Sequence, residues 1–194
     1  MKLERVIQRK RTIRAIGFDD APFVRGSGGP VSVAGVVCAD TKFEGMVWGE
    51  VRQDGWDATD VICELLVDGK FLPQLHLLLL DGIALGGFNV VDLPELHRRL
   101  GLPCVAVMRD YPDFDAVENA LTKLPEPERR LELIGRAGPI HEADSIFFQV
   151  QGAQPDPVRH ALARLTYTGH IPEPIRIAHL IGAAVKTGES GRRA

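Results

Sequence analysis

Four consecutive leucines run straight into an acid and a glycine at Leu77-Leu78-Leu79-Leu80-Asp81-Gly82. The segment Gln74–Leu80 is short, leucine-dominated and closed at once by a turn signal, which predicts a strand covered on both faces of a sheet. A carboxylate at the end of such a strand is costly to desolvate unless a cation, a hydrogen bond or water meets it. In α/β sheets, ligands gather beyond the carboxyl ends of the strands. Taken alone, Asp81 can equally well open a turn with Gly82. A second acid, Asp19, at the end of another apolar segment, tips the reading towards a site.

The rest of the chain supplies the partners that a buried strand requires. Thr12–Asp19 reads as a first strand, with Gly17 admitting a close neighbour. Val31–Ala39 and Phe43–Arg52 follow as strands rich in β-branched residues, joined by the short link Asp40-Thr41-Lys42. Short links favour antiparallel pairing, so these three should form a meander. Asp57–Leu66 carries Val61, Ile62, Leu65 and Leu66 on a helical stripe. After the leucine strand comes a helix over Asp92–Leu100, with Pro94 in its first turn and Gly101 stopping it. Cys104–Met108 is a further buried strand, giving a parallel β-α-β unit with the leucine strand. Beyond Arg109 the chain turns helical over Phe114–Leu124, Glu128–Arg136, Pro157–Leu165 and Pro174–Val185, with one more strand at Ile146–Gln151. The whole predicts an α/β fold over residues 1–194: one domain, a mixed sheet of an antiparallel three-strand meander plus parallel strands, and helices on both faces.

Composition excludes several classes. Cys38, Cys63 and Cys104 are widely spaced and form no CxxC pair, which argues against a disulfide framework or a cysteine zinc site. No apolar run approaches the roughly 20 residues that span a bilayer. The first residues lack the apolar core of a signal peptide, so a cytoplasmic protein with no membrane partner is expected. Net charge is −3, with no global basic signal for nucleic acid. Basic residues do cluster locally, at Lys2, Arg5, Arg9, Lys10, Arg11 and Arg14 and at Arg192-Arg193, either as solvated faces or as phosphate contacts.

If the first strand pairs with the leucine strand, sheet connectivity reverses between them and a crevice forms there. Asp19 and Asp81 would then be neighbours, and two close carboxylates repel unless they share a proton or a metal. Oxygen-rich acid pairs suit Mg²⁺ or Mn²⁺.

The strings Ile16–Phe23 (IGFDDAPF), Leu77–Leu96, Gly101–Arg109 and Ile171–Ile181 (IPEPIRIAHLI) make the chain resemble the endonuclease dU family, a distant relative of endonuclease V with a ribonuclease H-like fold. Gly17-Phe18-Asp19 and Asp81-Gly82 match the acidic strand ends of endonuclease V, Arg109 takes the place of a lysine, and Pro172–His179 matches a helix start that carries a histidine. The resemblance implies Asp19, Asp81 and a third acid as metal ligands, with Arg109 and His179 completing the catalytic set. Asp57 stands where the third acid belongs, and Asp54 and Asp60 are the fallbacks. Leu85-Gly86-Gly87 replaces a histidine-proline-arginine of the relative, and the aromatic wedge segment is absent. The implied activity is Mg²⁺- or Mn²⁺-dependent hydrolysis of phosphodiester bonds in DNA at or near deaminated bases such as deoxyuridine. A catalytically inactive nucleic-acid-binding module of the same fold and an inosine-directed RNA nuclease are the alternatives.

Each candidate also has a structural reading. Strand alternation separates Asp19 from Asp20, so only one faces the site, with Asp20 second. Asp57 sits where a helix N-cap belongs, with Asp60 three residues on as in a capping box. Arg109 suits either a bidentate phosphate contact or a surface ion pair. On a helical wheel, Ile177, Leu180, Ile181 and Ala184 form an apolar seam, and His179 projects about 150° from its centre at 100° per residue. His76, His97, His141, His160 and His170 show no metal-pair spacing.

Overall fold

A computed structural model describes residues 3–191, so Lys2 and Arg192-Arg193 of the two basic clusters lie outside the described residues. A short helix α1 (Leu3–Gln8) leads into the meander of β1 (Arg14–Asp20), β2 (Pro30–Ala39) and β3 (Lys42–Arg52). Both pairings are antiparallel. Helix α2 (Ala58–Leu66) then leads to β4 (Leu77–Asp81), the leucine strand. A small hairpin, β5 (Ala84–Leu85) and β6 (Asn89–Val90), and helix α3 (Leu93–Leu100) separate β4 from β7 (Cys104–Met108). Helices α4 (Phe114–Leu121) and α5 (Pro127–Arg136) precede β8 (His141–Ala143) and β9 (Ile146–Gln151), and α6 (Pro155–Leu165) and α7 (Glu173–Thr187) close the chain. The seven-stranded sheet has the order β3-β2-β1-β4-β7-β9-β8. Strand β4 runs parallel to both β1 and β7, and the remaining pairs are antiparallel.

The leucine strand is central, and all four leucines are fully buried. Leu78 and Leu80 pack with Ile16, Phe18 and the apolar stripes of α2 and α3 on one face. Leu77 and Leu79 pack with Val105, Val107 and helices α1, α6 and α7 on the other. Each such side chain contributes about 1.5–3 kcal/mol of burial. This two-sided demand explains why helices cover both faces.

Alternation along β1 and β4 carries through to their last residues. Asp81 follows the parity of Leu77 and Leu79, and Asp19 that of Ala15 and Gly17, so both acids face the α7 side. Gly17 is obligatory here, because a Cβ on it would lie 2.5 Å from the backbone carbonyl carbon of Pro174. Gly82 has φ of 81°, the left-handed conformation that turns the chain directly after Asp81.

Several boundaries shift. The leucine strand begins at Leu77, because Leu72–Gln74 winds into a 3₁₀ turn. Helix α4 stops at Leu121, three residues early, and α7 runs to Thr187. Helix α1, the three-residue β8 and the β5–β6 hairpin are too short to leave a periodic signal. The seam of α7 is corrected: its buried residues are Glu173, Pro174, Ile175, Ala178, Gly182 and Ala183. The helix lies down on small residues, with a Cβ on Gly182 only 3.1 Å from Ala21 Cα. Ile177 and Ile181 flank that contact over Ala34, Val36, Met46 and Trp48. His179 therefore falls on the sheet-facing side, not opposite it.

Among the described residues, no helix is long and apolar enough to cross a membrane. The three cysteines are free and buried.

Candidate metal centre

The parallel alignment of β1 and β4 sets Phe18 beside Leu80, so the following residues, Asp19 and Asp81, emerge side by side. The close seating of α7 on Gly17 brings His179 down over them. His179 Nδ1 donates to Asp19 Oδ2 at 2.9 Å. One ligand atom from each of Asp19, Asp81 and His179 lies within 4.8 Å of the others. Among the described residues this is the one such cluster of three metal-ligating side chains.

The electrostatics show negative charge in excess. Burial, reinforced by the Asp19 charge, pushes the Asp81 carboxyl up to about 6, against the opposing pull of Arg109 and His179. The hydrogen bond to Asp19 raises His179 above its ordinary value, opposed by burial. Asp20 points to the other face and accepts from Gly86 N at 2.5 Å. Burial also pushes Asp20 up to about 6, with Asp19 and Asp81 adding to the effect. A carboxylate that is hard to ionise in the free protein gains most when a cation joins it. Two carboxylate oxygens and an imidazole nitrogen form a donor set that suits a small hard divalent ion, with the nitrogen favouring Mn²⁺ over Mg²⁺.

Arg109, directly after β7, approaches Asp81 with Nη2–Oδ2 at 3.6 Å and a side chain 44% exposed. That contact is long and open to water, so it leaves the carboxylate only partly compensated. Arg109 also lines a cavity of about 390 Å³ with Ser145, Thr168, His170 and Arg176. Arg176 is held in place by a bidentate pair with Glu173, at 2.8 Å for both bonds. Arg109, which reaches Asp81, and Arg176 line the same cavity, and two guanidinium groups on one wall suit a phosphate.

The structure does not bring Asp57, Asp54 or Asp60 into the cluster. Asp57 occupies the N-cap position of α2 but makes no capping bond. Its carboxylate instead accepts from Arg52 N at 3.1 Å and from Asn89 Nδ2 at 2.5 Å, while Asn89 Oδ1 receives Ala58 N. Asp54 Oδ1 accepts from Phe88 N at 2.8 Å and ties down the β5–β6 hairpin. Asp60 pairs with Arg99 at 2.5 Å. Each of the three is spent on local structure. The further acid electrostatically coupled to the cluster is Asp20, and its adjacency to Asp19 in sequence is the signal for it.

The N-terminal basic cluster is also elsewhere. Arg14 opens β1 and pairs with Glu44 at 2.8 Å. Five residues of strand put it about 16 Å from Asp19 at 3.3 Å per residue.

Beside the acids, on the opposite face of the sheet, lies a second cavity of about 230 Å³. Its wall starts at Gly82, the residue after Asp81, and includes Met108, the residue before Arg109. No local pattern announced it, because its lining comes from six separate elements and loops.

Residues 11–186 match the sequence profile of a family described as endonuclease dU. A UPF0215 protein of Deinococcus radiodurans is 42% identical over 93% of this chain and 92% of its own length. The crystal structure of an Archaeoglobus fulgidus protein of unknown function is 34% identical and superposes with a TM-score of 0.83, covering 89% of this chain and 98% of that one. Endonuclease V from Ciona intestinalis, solved with a 24mer DNA containing an inosine followed by a ribo-adenosine, has a TM-score of 0.55 at 16% identity, covering 87% of this chain and 84% of that one. At that identity the likeness is one of fold, and the fold is ribonuclease H-like.

Proposed function

The chain belongs to the endonuclease dU family, and from that premise we propose that it is a metal-dependent nuclease cutting DNA at or near deaminated bases such as deoxyuridine. The observation that carries this reading is the convergence of Asp19, Asp81 and His179 within 4.8 Å at the ends of two central parallel strands. The inosine-containing DNA on endonuclease V supports nucleic acid as the partner.

Asp19, Asp81 and His179 would hold Mg²⁺ or Mn²⁺, and such an ion supplies water activation and charge neutralisation at a phosphodiester. The side chains of this protein do the rest. With Nδ1 donating to Asp19, His179 keeps its imidazole plane fixed over the acids and leaves Nε2 to ligate or to pass a proton. Asp20 adds negative charge at the same strand end, held by Gly86 N. Arg109 can leave its long contact with Asp81 to clamp a phosphate oxygen, where a guanidinium stabilises developing charge. Arg176, braced by Glu173, offers a second phosphate contact along the same wall.

The test is incubation of labelled uracil-containing DNA with pure protein and Mg²⁺ or Mn²⁺. Nicking by wild type that disappears in Asp81→Asn supports the reading. Absence of nicking by wild type, or equal nicking by the variant, refutes it. One observation favours the alternative of an inactive binding module: Asp57, the expected third acid, is hydrogen-bonded elsewhere. Salt-dependent DNA binding without metal-dependent cleavage would identify that module. Matched RNA and DNA strands separate a DNA nuclease from an inosine-directed RNA nuclease, since the 2′-hydroxyl is the local difference.

A further inference from the structure

We propose that Gln149 is a specificity-determining residue: its side-chain Oε1 accepts a hydrogen bond, inside the cavity beside Asp81, from the ring N–H that deamination creates on a nucleobase. This deepens the nuclease reading and rests on it for the identity of the ligand.

The cavity of about 230 Å³ is walled by Ile83, Val90, Met108, Phe114 and Val117 among others, and Gln149 is its one polar side chain among the described lining residues. It falls below the roughly 300–1,000 Å³ of sites for drug-sized ligands, which suits a single heterocycle. Its rim is open, with Phe114 40% exposed, while Val90 and Gln149 at the floor are 3% and 5% exposed. Apolar walls around one polar group match what an extruded base presents, two π faces and a hydrogen-bonding edge.

The orientation of Gln149 is determined by its other end. Nε2 donates to Gly138 O at 2.7 Å and towards Ile134 O at 3.4 Å, so the amide cannot turn over without setting oxygen against oxygen. Oε1 accepts no hydrogen bond among the described residues. Among the described residues no fully buried side-chain polar atom lacks a partner, so Oε1 must reach open space, and the open space Gln149 lines is this cavity. An acceptor held this way, open to the cavity and met by no donor among the described residues, is available to a donor on a ligand.

Deamination meets that demand. Cytosine and adenine present a bare ring nitrogen beside their exocyclic amine, an acceptor facing an acceptor. Uracil and hypoxanthine carry a hydrogen on that nitrogen beside a new carbonyl. A fixed Oε1 with the ring nitrogen, rather than the exocyclic amine, seated against it therefore favours the deaminated base over its parent. Thymine and guanine also carry a ring N–H, so their separation from the deaminated base falls to the shape of the apolar walls.

Binding of matched single strands carrying uracil, cytosine or N3-methyluracil at one position, measured by fluorescence anisotropy in metal-free buffer, tests this apart from cleavage. Wild type should bind uracil about 10–100-fold more tightly than cytosine, the worth of one satisfied buried acceptor. N3-methyluracil, which lacks the N–H, should bind as weakly as cytosine. Gln149→Leu should bind uracil and cytosine alike, and Val117→Phe, which fills the cavity from α4, should weaken uracil alone. Full uracil preference in folded Gln149→Leu, or undiminished binding of N3-methyluracil, overturns the inference. If Gln149→Leu does not fold, the N3-methyluracil result on wild type decides. A uracil preference with these losses but no nicking under any metal upholds the inference and removes the nuclease reading. Asp81-dependent nicking with no such preference does the reverse.

Discussion

Arg130 and Asp81 are both charged groups drawn out of water, and the fold treats them in opposite ways. Arg130 is 1% exposed, yet every nitrogen of its guanidinium donates a hydrogen bond. It donates to Pro125 O, to Gly55 O and Phe88 O from one nitrogen, and to Asp54 O at 2.6 Å, and it lies 4.1 Å from the centre of the Trp56 ring. Fixed carbonyls surround it, so its role is to pin the Asp54 turn and the β5–β6 hairpin to α5. Asp81 is drawn out of water beside another acid, and burial together with the Asp19 charge lifts its carboxyl to about 6 against the weaker pull of Arg109 and His179. Buried charge that is completely partnered builds structure, whereas buried charge left wanting is available for a ligand.

Replacing each member of the comparison should give opposite results. The largest effect is expected from Arg130→Met, which strips partners from four backbone carbonyls and should cost at least about 3 kcal/mol in urea unfolding. A neutral outcome would mean that the hairpin is held by something else. Asp81→Asn should lower nicking about 10²–10³-fold, and chelation of the metal from wild type should do the same.

The same variant should stabilise the metal-free protein. Asp81 has a folded pKa raised above its ordinary value of 3.8, so its contribution to stability is complete below that value and is lost as pH rises through about 6. Asp81→Asn escapes this loss and should exceed wild type by about 2–3 kcal/mol at pH 7.5, with the gap closing near pH 4. His179, also raised, works in the same direction: its bond to Asp19 is strongest while protonated and weakens at higher pH. Thermal unfolding across pH, with added Mn²⁺ restoring wild type at pH 7.5, checks the sign. A wild type that gains stability between pH 4 and pH 7.5 relative to the variant would contradict the description of the site as strained.

His179→Ala should reduce metal affinity or activity by about 10–100-fold, the usual cost of losing a group that orients a ligand. Calorimetric titration with Mn²⁺ measures it. The smallest effect is expected at Asp57→Asn. Its oxygens serve Arg52 and Asn89, so about 1 kcal/mol of stability should go while nicking stays within about twofold. Loss of nicking there would return Asp57 to the metal site.

Much of the frame is legible in the chain because it is written in local pattern. The two-sided burial of Leu77–Leu80 dictates a central strand, the short Asp40–Lys42 link dictates a hairpin, and Gly101 ends α3 in a left-handed cap. Asp19 and Asp81 are visible as acids ending apolar strands. The helical wheel of α7 misleads, since it ranks residues by hydrophobicity, and this helix packs by smallness against Gly17 and Ala21. Asp57 misleads for a related reason: an acid before a helix has the same appearance whether it caps, ligates or, as here, bonds a preceding strand end and a distant asparagine.

Gln149 leaves the least trace, as a polar residue between Phe148 and Val150 that could as easily face solvent. Only the seating of the end of α5 and the turn at Gly138 against β9 takes up its amide nitrogen. Periodicity, chain turns and the acidic strand ends follow from neighbouring residues and are therefore determined by the sequence itself. Which acid meets His179, which acids are spent on backbone, and where an acceptor is left facing a cavity are decided by contacts between distant segments. Those contacts depend on the distances at which helices and sheet settle, and a few small residues set those distances once the whole chain is folded.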